Sequence, residues 1–349
     1  MLLRAARLRS RGYTIIEMMV AITISLVILA ALVSAFAGNS RQRHAIERAN
    51  QQTDDGSYAL QVITDDLRSA GYLATLNPGT FASPNPGLAA PAAVPNSCAF
   101  DVATLRTGML LPVQGYDNPV TAPGCLTDVR AGTDILVVRR ASICAVGSPG
   151  CDPQVGNDVY LQASGCTTEF SAGTYFVLDT NTASFTLHQK DCVTVAPLYQ
   201  YRTHIYFVAN NDVQGDNIPT LKRAELGAGA FTIVPLVEGV ENLQIEYGLD
   251  TGTPTTGSPA VYTADPNAYT CAPATCTGVS NWGNAVAAKV YILTRDLSPT
   301  QGYTDTKTYT LGLTAGGAAN TVAAANDGFR RHIYSEAVRL NNTASRNTP

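Results

Sequence analysis

From Met18 to Ala37 the chain runs for twenty residues without a charge, MMVAITISLVILAALVSAFA. Coiled as an α-helix, such a run spans about 30 Å, the thickness of a bilayer's hydrocarbon core. Past Gly38 the pattern changes. Ile46, and then Leu60, Ile63 and Leu67, recur at helical spacing, while Arg48, Asp54, Asp55, Asp65, Asp66 and Arg68 occupy other faces. That predicts an amphipathic continuation whose apolar stripe packs on a folded domain. The triplet Asn77-Pro78-Gly79 is a firm break. One helix from about Thr14 to Leu73, apolar in its first half and amphipathic in its second, accounts for the whole stretch.

Beyond the break, residues 80–96 (TFASPNPGLAAPAAVPN) are rich in Pro, Gly and Ala and predict an irregular loop. Short β-like runs follow, separated by Gly, Asn, Asp and Pro: Asp134–Arg140, Thr174–Leu178, Ser184–His188, Tyr201–Val208, Leu243–Tyr247, Ala288–Leu293 and His332–Leu340. The alternation in Leu243-Gln244-Ile245-Glu246-Tyr247 predicts an antiparallel strand with one half-exposed face. No segment of helical length and period follows residue 75. Two spans, Asn77–Asp128 and Asp250–Asn284, read as insertions, the kind of segment that carries partner surfaces. The expected fold is α+β: a long N-terminal helix packed on one or two antiparallel β-sheets with long loops.

Composition narrows the chemistry. With 349 residues, the chain has room for one soluble domain beyond the helix. The net charge is −4, and the four arginines Arg4, Arg7, Arg9 and Arg11 all lie in the first twelve residues. Without those twelve, 19 basic residues stand against 27 acidic ones, a charge near −8. Such a balance disfavours nucleic acid as a partner, since phosphate binding needs a basic face. The pairs Arg139-Arg140 and Arg330-Arg331 read as solvated strand or turn residues. The sixteen tyrosines, spread along the strands, read as core and rim packing. Eight cysteines, Cys98, Cys125, Cys144, Cys151, Cys166, Cys192, Cys271 and Cys276, all lie after the apolar run, and none shows CxxC spacing. An even count in loop-rich sequence downstream of an export element predicts disulfides in an oxidising compartment. Zinc fits poorly, because His44, His188, His204 and His332 are scattered singly. The connectivity is not fixed by spacing, although the short-range pairs Cys144–Cys151 and Cys271–Cys276 are geometrically easy.

The apolar run has arginines on both sides, with the denser cluster upstream and Arg41 and Arg43 downstream. The positive-inside rule then puts the N-terminus in the cytoplasm and the bulk outside. An ordinary secretory signal has a shorter apolar core followed by a small-residue cleavage site, and neither feature is present. One residue also departs from a plain anchor: Glu17 sits one step inside the apolar phase. A carboxylate there is expensive in lipid and marks a functional candidate. An isolated helix gains nothing from it. A helix that packs against its relatives can pair it with a neighbouring cation.

The run Arg11-Gly12-Tyr13-Thr14-Ile15-Ile16-Glu17 resembles the class III signal of type IV pilins. The resemblance implies that a prepilin peptidase cuts between Gly12 and Tyr13 and methylates the new terminus at Tyr13. Glu17 becomes the fifth residue of the product, where it pairs with the terminal amine of an adjacent subunit during assembly. Many major pilins carry a proline within the apolar helix, whereas this chain has none between Tyr13 and Ala37. Two further stretches, Leu236–Gly248 and Arg330–Asn342, resemble blocks of PilW-type minor pilins, with the closing Val-Arg-Leu strand ending the sheet. The implied organisation is a leader at 1–12, an assembly helix at 13–37, its amphipathic continuation at 38–75 and a β-rich domain at 76–349. The implied setting is the inner membrane before assembly and the pilus at the cell surface afterwards. The implied partners are other minor pilins, the major pilin, the peptidase and a tip adhesin. A J-type pseudopilin of type II secretion shares these signals, and a membrane-anchored surface adhesin is a further alternative. No HExxH, GxSxG or phosphate-loop motif is present. Asp179-Thr180-Asn181 and Asn210-Asn211-Asp212 read as turns rather than calcium loops. Neither an enzyme, a cofactor nor a metal is expected.

Overall fold

The computed structural model describes residues 12–271 and 275–348. The arginines at 4, 7, 9 and 11 lie outside the described residues, as do the side chains of Arg41 and His44. The chain divides into two units, Met1–Gln51 and Gln52–Pro349, and the division falls within the first helix.

That helix, α1, runs unbroken from Ile15 to Ser69. Its amphipathic pattern fades near Ala70-Gly71, where the helix indeed ends, and Gly71 explains why. Gly71 takes a φ of +71°, the left-handed conformation that closes helices, and its N–H donates to the carbonyl of Arg139 at 2.9 Å. The free carbonyls at the helix end are met from the far end of the chain. Asn342 donates to the carbonyl of Ala70 at 2.9 Å, and Arg346 donates to that of Gly71. Both belong to the last helix, α5 (Asn341–Arg346).

Among the described residues, the second unit forms three sheets, all antiparallel. The largest joins β1 (Val113–Tyr116), β2 (Ile135–Ala141), β3 (Tyr160–Ala163), β4 (Phe176–Asp179) and β5 (Leu198–Ala209) in the order β1-β2-β5-β3-β4. β6 (Thr220–Leu226) pairs with β5, and β7 (Phe231–Glu238) with β6. At Gly239 (φ +77°) the chain passes into the second sheet, and a Cβ there would stand 2.7 Å from the carbonyl oxygen of Arg295. That sheet has the order β13-β10-β8-β9, from β8 (Val240–Leu249), β9 (Val261–Thr263), β10 (Ala285–Arg295) and β13 (Arg331–Arg339). A hairpin of β11 (Tyr309–Leu313) and β12 (Ala319–Val322) forms the third. Three helices of five to seven residues, α2 (Val102–Gly108), α3 (Thr167–Ser171) and α4 (Gly278–Gly283), sit in the connections.

One core joins the helix to both larger sheets. Ala59, Ile63, Leu67 and Ala70 of α1 pack with Leu136, Val138, Tyr206 and Val208 of the first sheet and with Leu243, Ile245, Val290 and Ile292 of the second. Ile63 and Leu67 thus bury the stripe seen in the sequence, while Ile46 is exposed. On the other face of the first sheet, Ile135, Val137, Ile205 and Phe207 pack with Leu126, which follows the Cys98–Cys125 disulfide. Because both faces are covered, β2 opens on a continuous apolar run, Ile135 to Val138.

The strands expected at 134–140, 174–178, 201–208, 243–247, 288–293 and 332–340 are present; those around 201–208, 243–247 and 288–293 are longer than expected, and that at 174–178 is shorter, Phe176–Asp179. Ser184–His188 is not a strand: a single 3-10 turn occupies Thr182–Ser184, and His188 makes only an isolated bridge with Val195. The Asp179 carboxylate explains the turn, accepting from the N–H groups of Thr180 and Asn181 and from the Ser184 hydroxyl. The half-exposed face expected of residues 243–247 is also wrong, since Gln244 and Glu246 are buried. Asn320 of β12 donates to Gln244, and Lys289 and Tyr291 donate to Glu246. The two spans read as insertions contribute β1 and β9 to the sheets as well as loops.

Of the paired arginines, Arg330 is exposed as expected, whereas Arg139 and Arg331 are not. Arg139 is buried, donating to the Leu111 carbonyl at 3.1 Å and to Gln114 Oε1 at 2.7 Å. Arg331 is buried among three carboxylates, with Glu241 Oε2 at 2.5 Å, Asp305 Oδ2 at 3.1 Å and Asp327 Oδ1 at 2.7 Å. Arg331 tolerates such burial because its five donors are all directed at acceptors, on Glu241, Asp305, Asp327 and the Phe329 carbonyl.

Candidate assembly site

Ahead of α1, residues Gly12, Tyr13 and Thr14 have no regular structure, and Tyr13 is 91% exposed. The helix begins with a reciprocal cap. Glu17 N–H donates to Thr14 Oγ1 at 3.2 Å. In return, Glu17 Oε2 accepts from Thr14 N–H at 2.9 Å and from the Thr14 hydroxyl at 3.0 Å. This is the Thr-x-x-Glu capping box, which meets two of the helix's unpaired N–H groups and places a carboxylate at the positive end of the helix dipole. The sequence reading singled out Glu17 but missed Thr14, although the three-residue spacing carries the signal.

From Ile15 to Phe36 the helix has a mean hydropathy of 2.6 and none of it is buried. Fourteen large apolar side chains on this stretch are exposed, from Ile15 and Ile16 to Val33 and Phe36. Covering each is worth about 1.5–3 kcal/mol, so the stretch as a whole calls for lipid or neighbouring helices. Its length and composition suffice to cross a membrane. The hydroxyls of Thr23, Ser25 and Ser34 each turn back to a carbonyl three or four residues earlier, so they present no free donor to an apolar surround.

All eight cysteines are paired, as Cys98–Cys125, Cys144–Cys151, Cys166–Cys192 and Cys271–Cys276. Elsewhere in the second unit, a polar cleft of about 310 Å³ is lined by Asp152, Asp158, Gln200, Arg202, His204 and Glu225. Its ionic side chains are already engaged. Arg202 pairs with Asp152, His204 with Asp66, and Arg223 with Glu225, while Gln200 donates to Asp158. Burial alone would raise the Asp66 carboxyl, but His204 at 2.7 Å and Arg140 at 2.6 Å outweigh it and hold the group well below the usual carboxylate range. No nucleophile stands beside an available base in this cleft. Among the described residues, no group of three or more His, Cys, Asp or Glu side chains is arranged to hold a metal ion.

Residues 7–33 match the family model of the prokaryotic N-terminal methylation motif, and residues 205–342 match that of type IV pilus-assembly protein W. The second match runs from within β5 to the start of α5. No curated protein matches the chain. Among solved structures, a type IV-like pilin from Thermus thermophilus aligns with 83% of this chain and 96% of its own, at 14% identity and a TM-score of 0.36. Both family matches point to a structural rather than an enzymatic protein, and the N-terminal one fits membrane anchoring and pilus association. The chain thus carries the N-terminal methylation motif of type IV pilin-like proteins at one end and a match to type IV pilus-assembly protein W over its C-terminal sheets.

Proposed function

We propose that this chain is a minor pilin, held in the inner membrane by α1 with its bulk outside and then assembled into a type IV pilus. The observation that carries the reading is the coincidence, within residues 12–17, of an irregular exposed segment and a carboxylate capping an apolar helix. A peptidase needs an accessible, non-helical peptide, and the Gly12–Tyr13 bond offers one. Cleavage there leaves Tyr13 as the terminus, to be methylated, with Glu17 one helical turn away. In a bundle of such helices the buried cost of a carboxylate and of a terminal ammonium from the next subunit is reduced when the two pair. Lateral packing of the exposed apolar face supplies the affinity, and the pairing sets the register. The subunit joins other minor pilins and the major pilin in a complex that primes growth at the tip, supporting twitching motility and adhesion.

Glu17 also serves its own helix, so the test must separate the two roles. Gln at the third helical position still supports a capping box but carries no charge. Glu17→Gln is therefore expected to be inserted and cleaved normally, yet to be missing from sheared filaments. Incorporation at the wild-type level would remove the pairing role. Gly12→Arg is expected to leave the full-length precursor in the membrane, and a normally processed product would contradict the cut site.

A further inference from the structure

Residues 77–195 lie outside both family matches, and one feature built partly from them has the makings of a binding site. A cavity of about 280 Å³ opens between the end of the first helix region and the β3–β4 connection, lined by Thr75, Leu76, Asn77, Asn85, Ser164, Phe170 and Tyr175. We infer that this cavity binds the ring of a neutral saccharide.

The aromatic pair is the first ground. Phe170 and Tyr175 stack with ring centroids 5.7 Å apart and planes at 21°, and Phe170 remains 38% exposed. The fold fixes both rings beforehand. Phe170 sits on α3, whose N-cap residue Cys166 is held by the disulfide to Cys192. Gly173, at φ +81°, turns the chain back towards Tyr175, and Gly87 packs against the Tyr175 ring. Rings held in place this way lose little freedom on binding. They offer a flat apolar platform of the kind that the C–H face of a pyranose covers.

The polar lining is the second ground. Thr75 and Asn77 are exposed. Asn77 Oδ1 accepts from Gly79 N–H at 3.0 Å, which holds the amide in place. Asn85 Nδ2 donates to the Asn77 carbonyl at 3.0 Å, while its Oδ1 is enclosed without a donor. A ligand hydroxyl entering beside it, with a small shift of the amide, would supply that donor. None of the lining residues is charged. A phosphate or carboxylate therefore finds no counter-ion, whereas hydroxyls find amides and hydroxyls; the Glu169 carboxylate behind Ser164 is already engaged by that hydroxyl and by His188. The volume lies just under the range of about 300–1,000 Å³ usual for small-molecule sites, which suits one sugar ring rather than an extended chain.

The test uses the full chain in lauryldimethylamine oxide, a detergent without a sugar headgroup. Saturation-transfer NMR is recorded with the methyl glycosides of glucose, galactose, mannose and N-acetylglucosamine at about 10 mM each, where weak binding is readable. At least one glycoside is expected to saturate, most strongly at its ring C–H protons. Phe170→Ala is expected to weaken that glycoside about tenfold while lowering the melting temperature by only a few degrees, the cost of losing its stack on Tyr175. Asn77→Asp keeps the acceptor for Gly79 N–H but puts charge in the cavity, and should weaken binding as well. Three results would each overturn the inference: no saturation of any glycoside, saturation unchanged in Phe170→Ala, or stronger saturation of N-acetylalanine methylamide than of every glycoside.

Discussion

Asp66 shows how one residue ties the amphipathic half of α1 to the domain. Its Oδ1 meets Arg140 Nε at 2.6 Å, and its Oδ2 meets His204 Nδ1 at 2.7 Å and the Tyr206 hydroxyl at 2.9 Å. Arg223 and Glu225 on β6 complete the surround, Arg223 reaching Tyr206 at 3.4 Å and Glu225 at 2.5 Å. Removing one member of such a set strands the others, so Asp66→Ala is expected to lose about 3–5 kcal/mol in urea unfolding at about pH 7. The pH dependence follows from the lowered carboxyl. A group whose folded pKa is depressed adds stability above its unfolded pKa, about 3.9, and loses it as pH falls through the folded value. The gap between wild type and Asp66→Ala is therefore expected to hold from about pH 7 to pH 5 and to shrink below about pH 4. A gap independent of pH would assign the loss to packing alone. The sequence placed Asp66, Arg139 and Arg331 among solvated charges because a one-dimensional pattern shows only a residue's own element. The His204 partner of Asp66 lies 138 positions away, and the Glu241 partner of Arg331 lies 90 away. Glu17 was legible because its departure from pattern is local, a lone carboxylate at the edge of an uncharged run.

At the scale of elements, the docking of α1 against β13 turns on a missing side chain. A Cβ at Gly56 would stand 2.2 Å from the Tyr334 ring, whose hydroxyl donates to the Gln52 carbonyl at 3.2 Å. Alanine favours a helix over glycine by about 1 kcal/mol, while overpacking costs about 1–3 kcal/mol. Gly56→Ala is expected to lower the melting temperature, and a rise would mean that Tyr334 moves aside freely. The disulfides act on the unfolded chain. Cys98–Cys125 and Cys166–Cys192 close loops of 27 and 26 residues, against 7 and 5 for the other two. On chain entropy, replacing either long-range pair by serines costs about 3–4 kcal/mol, and the short pairs less. Urea titrations of the four double variants would rank them, and an inverted ranking would contradict the loop-length argument. The long helix, the central strands β2, β5, β8 and β10 and the closing strand β13 were readable from apolar runs. The strands that escaped notice have physical reasons. β7 carries Pro235, tolerated because among the described residues β7 pairs only with β6. β6 holds Lys222, Arg223 and Glu225 within seven residues. β1 and β9 are four and three residues long, too short for a period to register.

For the whole molecule, the two ends of the chain carry the family likeness and the middle carries what is particular to it. The helix from Ile15 to Phe36 leaves its apolar surface uncovered, a state that membrane or filament relieves and water does not. The domain has its own core, four disulfides and buried ion pairs. The saccharide cavity falls in the region that neither family match covers. The most direct measurement is mass spectrometry of the N-terminal peptide of this protein, taken from sheared surface filaments. The account predicts a peptide that begins at Tyr13 and carries one added methyl group on its amine. Filaments that lack the protein, or a peptide that retains the sequence from Met1 through Gly12, would contradict it.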